Sequence, residues 1–226
     1  SDKFAAKINF GYLEGTDWAG DNRTDKFYRG LTRADYDYDG VNVYGDEVAT
    51  NIRAASGGLG IVPNVLVSRT GYAENELTDH NALSLKTDWG FYYRPFADDL
   101  ELSYVGKFGT GNTIYQGTNR YAITNFGMQQ HKLELKNDNF FLRGYMTSDD
   151  AGDSYDMVFT GININRAWKS DAQWFGDYIN TFVGASLNGA TEPQAHAAAR
   201  AVAETGRFVP GSPEFIQAFN NSVTNS

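Results

Sequence analysis

The chain contains no cysteine. That excludes a disulfide framework, a thiolate zinc site and a cysteine nucleophile. Basic charge is also scarce: 19 Lys and Arg stand against 28 Asp and Glu, for a net charge of −9. Little here would neutralise phosphates, so nucleic acid is not an expected partner. No G-x-S-x-G or P-loop occurs, and Gly57–Gly60 lacks the flanking strand and helix a nucleotide loop needs. The histidines His80, His131 and His196 lie far apart and form no His-x-x-x-His pair. Acid pairs are what an acidic chain supplies by chance, so no enzyme is expected. No run approaches the ~18 apolar residues of a membrane-spanning helix. That absence leaves a barrel open, since a barrel strand needs only ~9–11 residues and one of its faces is polar. A mean hydropathy of −0.47 fits either a soluble domain or such a barrel.

What is present is aromatic and glycine-rich: 15% aromatics, and 24 glycines against 5 prolines. Many strands with aromatic flanks have this composition. The clearest stretch is Asn81 to Thr110. In its first strand Leu83, Leu85, Thr87, Trp89, Phe91 and Tyr93 share a face, opposite Ala82, Ser84, Lys86, Asp88 and Gly90. In its second, Leu100, Leu102, Tyr104, Gly106 and Phe108 lie opposite Glu101, Ser103, Lys107 and Gly109. A period of two gives one apolar and one wet face. Lys3 to Tyr12, Gln129 to Lys136 and Phe140 to Thr147 alternate in the same way.

The connections run long, short, long, short: Leu13–His80, Arg94–Asp99, Gly109–Gly127 and Asn137–Asn139. A further excursion begins at Ser148. Long loops at one end and short turns at the other mark outer-membrane barrels. Eleven residues at ~3.3 Å each, tilted by ~40°, rise about 25–28 Å, the height of the apolar band. Trp89, Phe91, Tyr92 and Tyr93 sit where an aromatic girdle would lie. The soluble alternative is a β-sandwich whose core covers the same face. Ser1 leads almost directly into a strand with no leader, so the chain reads as processed or cut from something longer.

Beyond Ser148 the pattern changes. Met157–Trp168 reads as a strand or an approach to a helix. Ser170–Val183 carries Trp174, Phe175, Tyr178 and Phe182 at helical spacing. Thr191-x-x-Gln194 is a capping box before an alanine-rich helix, and Pro213 opens another. The expected fold is mainly β. It is a partial antiparallel transmembrane β-barrel of about five or six strands spanning residues 1–226. Residues 13–80 and 148–226 are its long extracellular loops, the second with a helical insertion.

Several stretches carry a resemblance. KFAAKINFGYLEGTDW, YDGVNVYGDE, LSLKTDWGFYYRPF, GNTIYQGTNRYAI, MQQHKLELKNDNFFLRGY, INRAWKSDAQWF and GRFVPGSPEF resemble the SusC-like branch of TonB-dependent outer-membrane transporters of Bacteroidetes. The resemblance covers essentially the whole chain. It implies a barrel of about 22 strands, an N-terminal plug with a TonB box, and a SusD-like lipoprotein lid. It also implies import of oligosaccharides or peptides through the Gram-negative outer membrane, powered through TonB. The chain departs from that pattern in extent, with no plug and few of the strands. Its expected partners are therefore the rest of the barrel, the plug, the lipoprotein, TonB and membrane lipid. Two other readings of the residues stand beside it: a surface β-sheet glycan-binding protein, and a barrel serving as a structural component of an envelope complex.

Within the barrel reading, Leu83, Leu85, Trp89, Phe91, Leu100, Leu102, Tyr104 and Phe108 face lipid. Lys86, Asp88, Glu101, Lys107, Lys132, Glu134 and Arg143 face the lumen, where they pair across strands or with a plug. Trp18, Tyr28, Tyr36, Tyr38, Tyr44 and Tyr115 fall on predicted loops and are candidates for stacking on substrate or docking a lid. Asp35, Asp37 and Asp39, with Gly40 and Asp46, resemble a calcium loop, offering hard oxygens at alternate positions and a glycine for the turn. Against that, the last position is Asp rather than Glu and no helices flank the loop. A solvated acidic loop is the favoured reading, and no cofactor beyond this calcium candidate is expected.

Overall fold

The computed structural model describes residues 3–96 and 99–224. The chain opens with β1 (Phe4–Thr16), followed by the short strands β2 (Val43–Tyr44) and β3 (Ala49–Asn51). A single helical turn α1 (Ile52–Ala55), β4 (Leu66–Ser68), β5 (Tyr72–Ala73) and a second turn α2 (Glu74–Leu77) come next. Four long strands then run in sequence: β6 (Asn81–Tyr93), β7 (Glu101–Gln116), β8 (Arg120–Lys136) and β9 (Phe141–Asp150). After β10 (Tyr155–Asp156) the chain is helical, through α3 (Met157–Trp168), α4 (Asp171–Leu187), α5 (Glu192–Ala203) and α6 (Pro213–Thr224). Two compact units result: Ser1–Trp18 with His80–Tyr155, and Ala19–Asp79 with Asp156–Ser226.

The first unit is one antiparallel sheet in the order β1-β6-β7-β8, with β9 and the two-residue β10 both on β8. Among the described residues it does not close on itself. Register places directly paired side chains on the same face. One face carries the row Phe4, Tyr93, Leu102, Leu135, Leu142. The next rows are Ala6, Phe91, Tyr104, Leu133, Gly144, then Ile8, Trp89, Gly106, His131, Met146, then Phe10, Thr87, Phe108, Gln129, Ser148. No Asp, Glu, Lys or Arg lies in these rows. Trp89 lies over Gly106, where an added Cβ would fall 2.2 Å from the indole. An aromatic covering a cross-strand glycine pins register. His131 is the one histidine in these rows, and its Nδ1 lies 2.8 Å from the Tyr104 hydroxyl.

The opposite face is polar. Its rows include Tyr92, Ser103, Glu134, Arg143 and Asn9, Asp88, Lys107, Gln130, Thr147. Asn9 donates to Asp88 at 2.7 Å, and Gln130 to Thr147 at 3.2 Å. Glu134 takes Arg143 across the strand pair, and Glu101 takes Lys136 at 3.3 Å and Arg94 at 3.0 Å. Opposite charges facing one another across strands stabilise the pairing.

Two expectations for the sheet are corrected, and a third falls partly on residues outside those described. Gly109–Gly127 is not a loop: β7 runs to Gln116 and β8 restarts at Arg120, so the hairpin continues through a bulge between Gly111 and Thr113. TGNTIYQ and RYAITN are mixed on both faces, so no alternation betrays them, yet Thr, Ile and Tyr suit a pleated ribbon. Leu100 lies outside the strand, since β7 begins at Glu101. The expected turn Arg94–Asp99 includes Ala97 and Asp98, which lie outside the described residues.

The largest correction concerns the expected loops 13–80 and 148–226. Their first few residues extend β1 and β9, and most of the remainder folds into the second unit. Its core joins Ile52, Val62 and Val67 to Trp174, Phe175, Tyr178, Ile179 and Phe182 of α4 and Ala195, Ala199 and Ala203 of α5. The α4 spacing buries one face, and Ser170 caps it by accepting from the Gln173 amide at 3.3 Å. Met157–Trp168 is a helix, with Asp156 Oδ1 accepting from the Val158 and Phe159 amides at 2.8 and 3.2 Å. α5 opens on Thr191, whose amide donates to Gln194 Oε1 at 2.9 Å.

Arginines stitch the two segments of this unit. Arg69, 1% exposed, donates to Asp171 at 2.6 Å and the Asn165 carbonyl at 3.0 Å. Arg200 donates to Thr70 Oγ1 and the carbonyls of Tyr36 and Ser68 at 2.9–3.1 Å. α3 meets β2 at Gly161, where an added Cβ would fall 2.4 Å from the Tyr44 carbonyl oxygen. Gly161→Ala is therefore expected to lower the stability of this unit by about 1–3 kcal/mol in urea unfolding. Gly176→Ala on α4, where a Cβ meets nothing within 4 Å, is expected to be neutral or stabilising by up to ~1 kcal/mol. Equal effects of the two would contradict the close contact.

Candidate functional site

The six candidate aromatics separate. Trp18, Tyr28 and Tyr115 are exposed, at 76%, 84% and 56%. Tyr38 and Tyr44 are buried, which corrects the expectation that their rings are free to stack on substrate. Tyr38 donates to the Arg23 carbonyl at 2.7 Å, and Tyr44 to Glu74 Oε2 at 2.9 Å. Their work is internal, because a buried phenol needs a hydrogen-bond partner.

The segment around Trp18 is tied to the tip of the extended β7–β8 hairpin, which carries Tyr115. Asp17 Oδ2 accepts from the Ile114 amide at 3.1 Å and Thr113 Oγ1 at 3.2 Å, and Asp17 Oδ1 from the Trp18 amide at 2.8 Å. The Ile114 and Trp18 amides hold the Asp17 carboxyl below the usual carboxylate range. Arg120 donates to the Trp18 carbonyl at 3.4 Å, and Tyr115 stacks on Tyr121 with centroids 6.1 Å apart. The ribbon tip carries the stacked rings of Tyr115 and Tyr121.

In the second unit Tyr36 is half-buried and stacks on His196, with centroids 4.0 Å apart and planes 16° from parallel. The pair lines a cleft of about 480 Å³ with Asp35, Glu192 and Arg200. His196 Nδ1 lies 2.8 Å from the Tyr178 hydroxyl, while its buried Nε2 has no hydrogen-bond partner. Burial lowers the pKa of this imidazole. Sequence spacing offered no signal for this cleft, because Asp35 and His196 are distant in the chain.

The calcium-loop residues do not converge as the motif predicts. Asp35 Oδ2 accepts from Thr32 N at 2.7 Å and Thr32 Oγ1 at 2.9 Å, closing its own turn. Asp37 pairs with Arg29, which also grips Asp25 at 2.6 Å. Hydrogen bonds from Arg29 hold the buried Asp25 carboxyl well below the carboxylate range. Asp39 and Asp46 instead meet Glu47, which the motif omitted, with carboxylate oxygens within 4.8 Å of one another. Lys26 sits among them, 2.8 Å from Asp39 and 3.1 Å from Glu47. Asp46 Oδ2 accepts from the Gly40 amide at 3.0 Å and Oδ1 has no partner. Burial pushes the Asp46 carboxyl up to about 8. The ring of Tyr38 sits over Gly40, and Gly45 turns with φ of +101° so that its amide reaches Glu47 Oε2 at 2.7 Å. Only glycine adopts that conformation without cost.

The alternating residues of the sheet divide between its two faces. Leu83, Leu85, Trp89, Phe91, Leu102, Tyr104 and Phe108 share one face, and Lys86, Asp88, Glu101, Lys107 and Arg143 the other. No protein-family model, curated protein or solved structure matches this chain.

Proposed function

We propose that the chain is a wall segment, with an associated folded excursion, of a SusC-like TonB-dependent outer-membrane transporter. The observation that carries the reading is the uncharged face shared by β1, β6, β7, β8 and β9. Its apolar side chains are largely open, with Ile8, Phe10, Leu133 and Leu142 at 72%, 69%, 55% and 70% exposure. Soluble monomers rarely leave a contiguous apolar patch beyond roughly 300–600 Å². On β1 and β6 the band runs from the Phe4–Tyr93 pair to the Tyr12–Leu85 pair, about 26 Å along the strands. At a tilt of ~40° it is about 20 Å tall, close to the ~25 Å belt of an outer-membrane barrel.

The outer edge of β1 and the free edge of β9 fit the same reading. Lipid cannot satisfy a bare strand edge, so neighbouring strands must pair there. The partners proposed are those further strands, a plug, a SusD-like lipoprotein and TonB. The cargo class is oligosaccharide or peptide. The polar face lines the lumen, and the exposed rings of Trp18 and Tyr115 are its proposed cargo or lid contacts.

A chain free of cysteine gives a direct test. Single cysteines at positions 85, 91, 102 and 108, and at 86, 88, 103 and 107, are labelled with a nitroxide. The protein is expressed with whatever coding sequence flanks it and placed in membrane vesicles. The first set is expected to collide with dissolved oxygen, the second with a water-soluble nickel chelate. Nickel access to both sets, or to neither, would rule out a lipid-facing sheet.

A further inference from the structure

We propose that Asp39, Asp46 and Glu47 form a binding site for a divalent cation of the calcium type. Calcium holds oxygen ligands at about 2.3–2.6 Å, so two ligands on opposite sides of one ion are about 4.6–5.2 Å apart. The three carboxylates present oxygens within 4.8 Å of one another. All three therefore reach one ion with little backbone movement.

A cluster of acids is not by itself a site, because solvent and counter-ions serve it. Asp46 adds an independent observation. It is 1% exposed, yet its Oδ1 has no hydrogen-bond partner. The loop has satisfied the other oxygen with the Gly40 amide and left this one open. A buried carboxylate oxygen without a partner is costly, and a bound cation is one of the arrangements that satisfies it.

The charge around the cluster points the same way. Three carboxylates share one ammonium, that of Lys26. With Asp46 ionised by a bound cation, two negative charges remain beyond what Lys26 offsets, and one divalent cation cancels both. The nearby acids Asp25 and Asp37 are already held by Arg29. The donors are all carboxylate oxygens, with no histidine or thiolate among them. That set selects a hard cation over zinc or copper. Magnesium demands a near-ideal octahedron and retains several waters, whereas calcium accepts carboxylates in irregular geometry, so calcium is favoured.

The test titrates calcium chloride into chelator-treated protein by calorimetry, with thermal unfolding alongside. Terbium luminescence excited through Tyr38 and Tyr44 reports the same site. One saturable event and a calcium-dependent rise in melting temperature are expected. Asp46→Asn and Glu47→Gln, both near-isosteric, are each expected to weaken binding by about tenfold or more. Lys26→Met removes the internal competitor and is expected to tighten it several-fold. Asp35→Asn, outside the cluster, is expected to leave it unchanged. Circular dichroism confirms that each variant is folded, and either acid variant alone decides the matter if the other fails to fold. No saturable calcium binding by the unmodified protein overturns the proposal. So does binding by Lys26→Met alone, which would make the lysine the cation of the cluster, or calcium binding that survives both acid substitutions.

Discussion

Asp171→Ala is expected to destabilise the second unit by about 3–5 kcal/mol, the cost of stranding a buried charge. Its partner Arg69 is fully enclosed, between the rings of Trp168 and Trp174 with centroids 5.5 and 5.8 Å from the guanidinium carbon. Burial already lowers the Arg69 pKa, and Asp171 is the main group opposing that shift. With Asp171 gone, the Asn165 carbonyl remains but supplies no counter-charge. Arg166, which also reaches Asp171 at 2.8 Å, is released to solvent and contributes little. Asp177→Ala is the control. It breaks a bond to Lys169 at 2.8 Å, and Asp177 is 45% exposed. A loss of no more than ~1 kcal/mol is expected there. Urea unfolding followed by tryptophan fluorescence compares the two, since Trp174 lies beside Arg69. Indistinguishable losses would show that the Arg69 pair is not what joins the two segments.

The second large effect depends on the solvent of the sheet. Ile8 sits midway along the apolar band, opposite Trp89, and is 72% exposed. If that face meets water, Ile8→Arg changes little, within about 0.5 kcal/mol, as surface substitutions do. If it meets lipid, arginine near the midplane costs about 2–4 kcal/mol. The barrel reading expects the larger loss, measured by unfolding from vesicles. Asn9→Arg tests the other face one residue away. It keeps a donor for Asp88 and is expected to stay within about 1 kcal/mol. A neutral Ile8→Arg in membranes would sink the lipid-facing reading while leaving the sheet itself intact.

The sheet was legible because its information is local. Each strand states its two faces by alternation, and β6 to β9 follow one another through short turns, although β1 finds β6 across the long 17–80 excursion. The β7–β8 tip was illegible because Thr113 to Gln116 and Arg120 to Ile123 contrast no faces, and what holds them is the backbone ladder. α4 announced itself through the helical spacing of Trp174, Phe175, Tyr178 and Phe182, and α5 through the Thr191–Gln194 capping box. α3 did not, since Met157–Trp168 mixes branched and small residues. Asp156 as its cap and Gly161 against Tyr44 decide it. The candidate cation site was half legible. Asp39 and Asp46 were read from a linear motif, but the chain turns at Gly40 and Gly45 and exchanges Asp35 and Asp37 for Glu47. Lys26 and the orphan oxygen of Asp46 could not be inferred from spacing at all. Nor could the burial of Tyr38 and Tyr44, because a loop-like composition does not reveal that distant helices will cover it.

The second unit is discontinuous, and that sets an order of assembly. Arg69 waits 102 positions for Asp171, and the Tyr36 carbonyl 164 for Arg200. Contacts so far apart form slowly, because a long loop must close before they repay it. During synthesis the first half emerges with Ile52, Val62 and Val67 uncovered, and the four long strands are made before α4 can shield them. The sheet hairpins pair with near neighbours and have no such delay. Until α4 and α5 arrive, the nascent first half carries apolar surface that other chains can capture, so a chaperone that shields it would act until α5 is made.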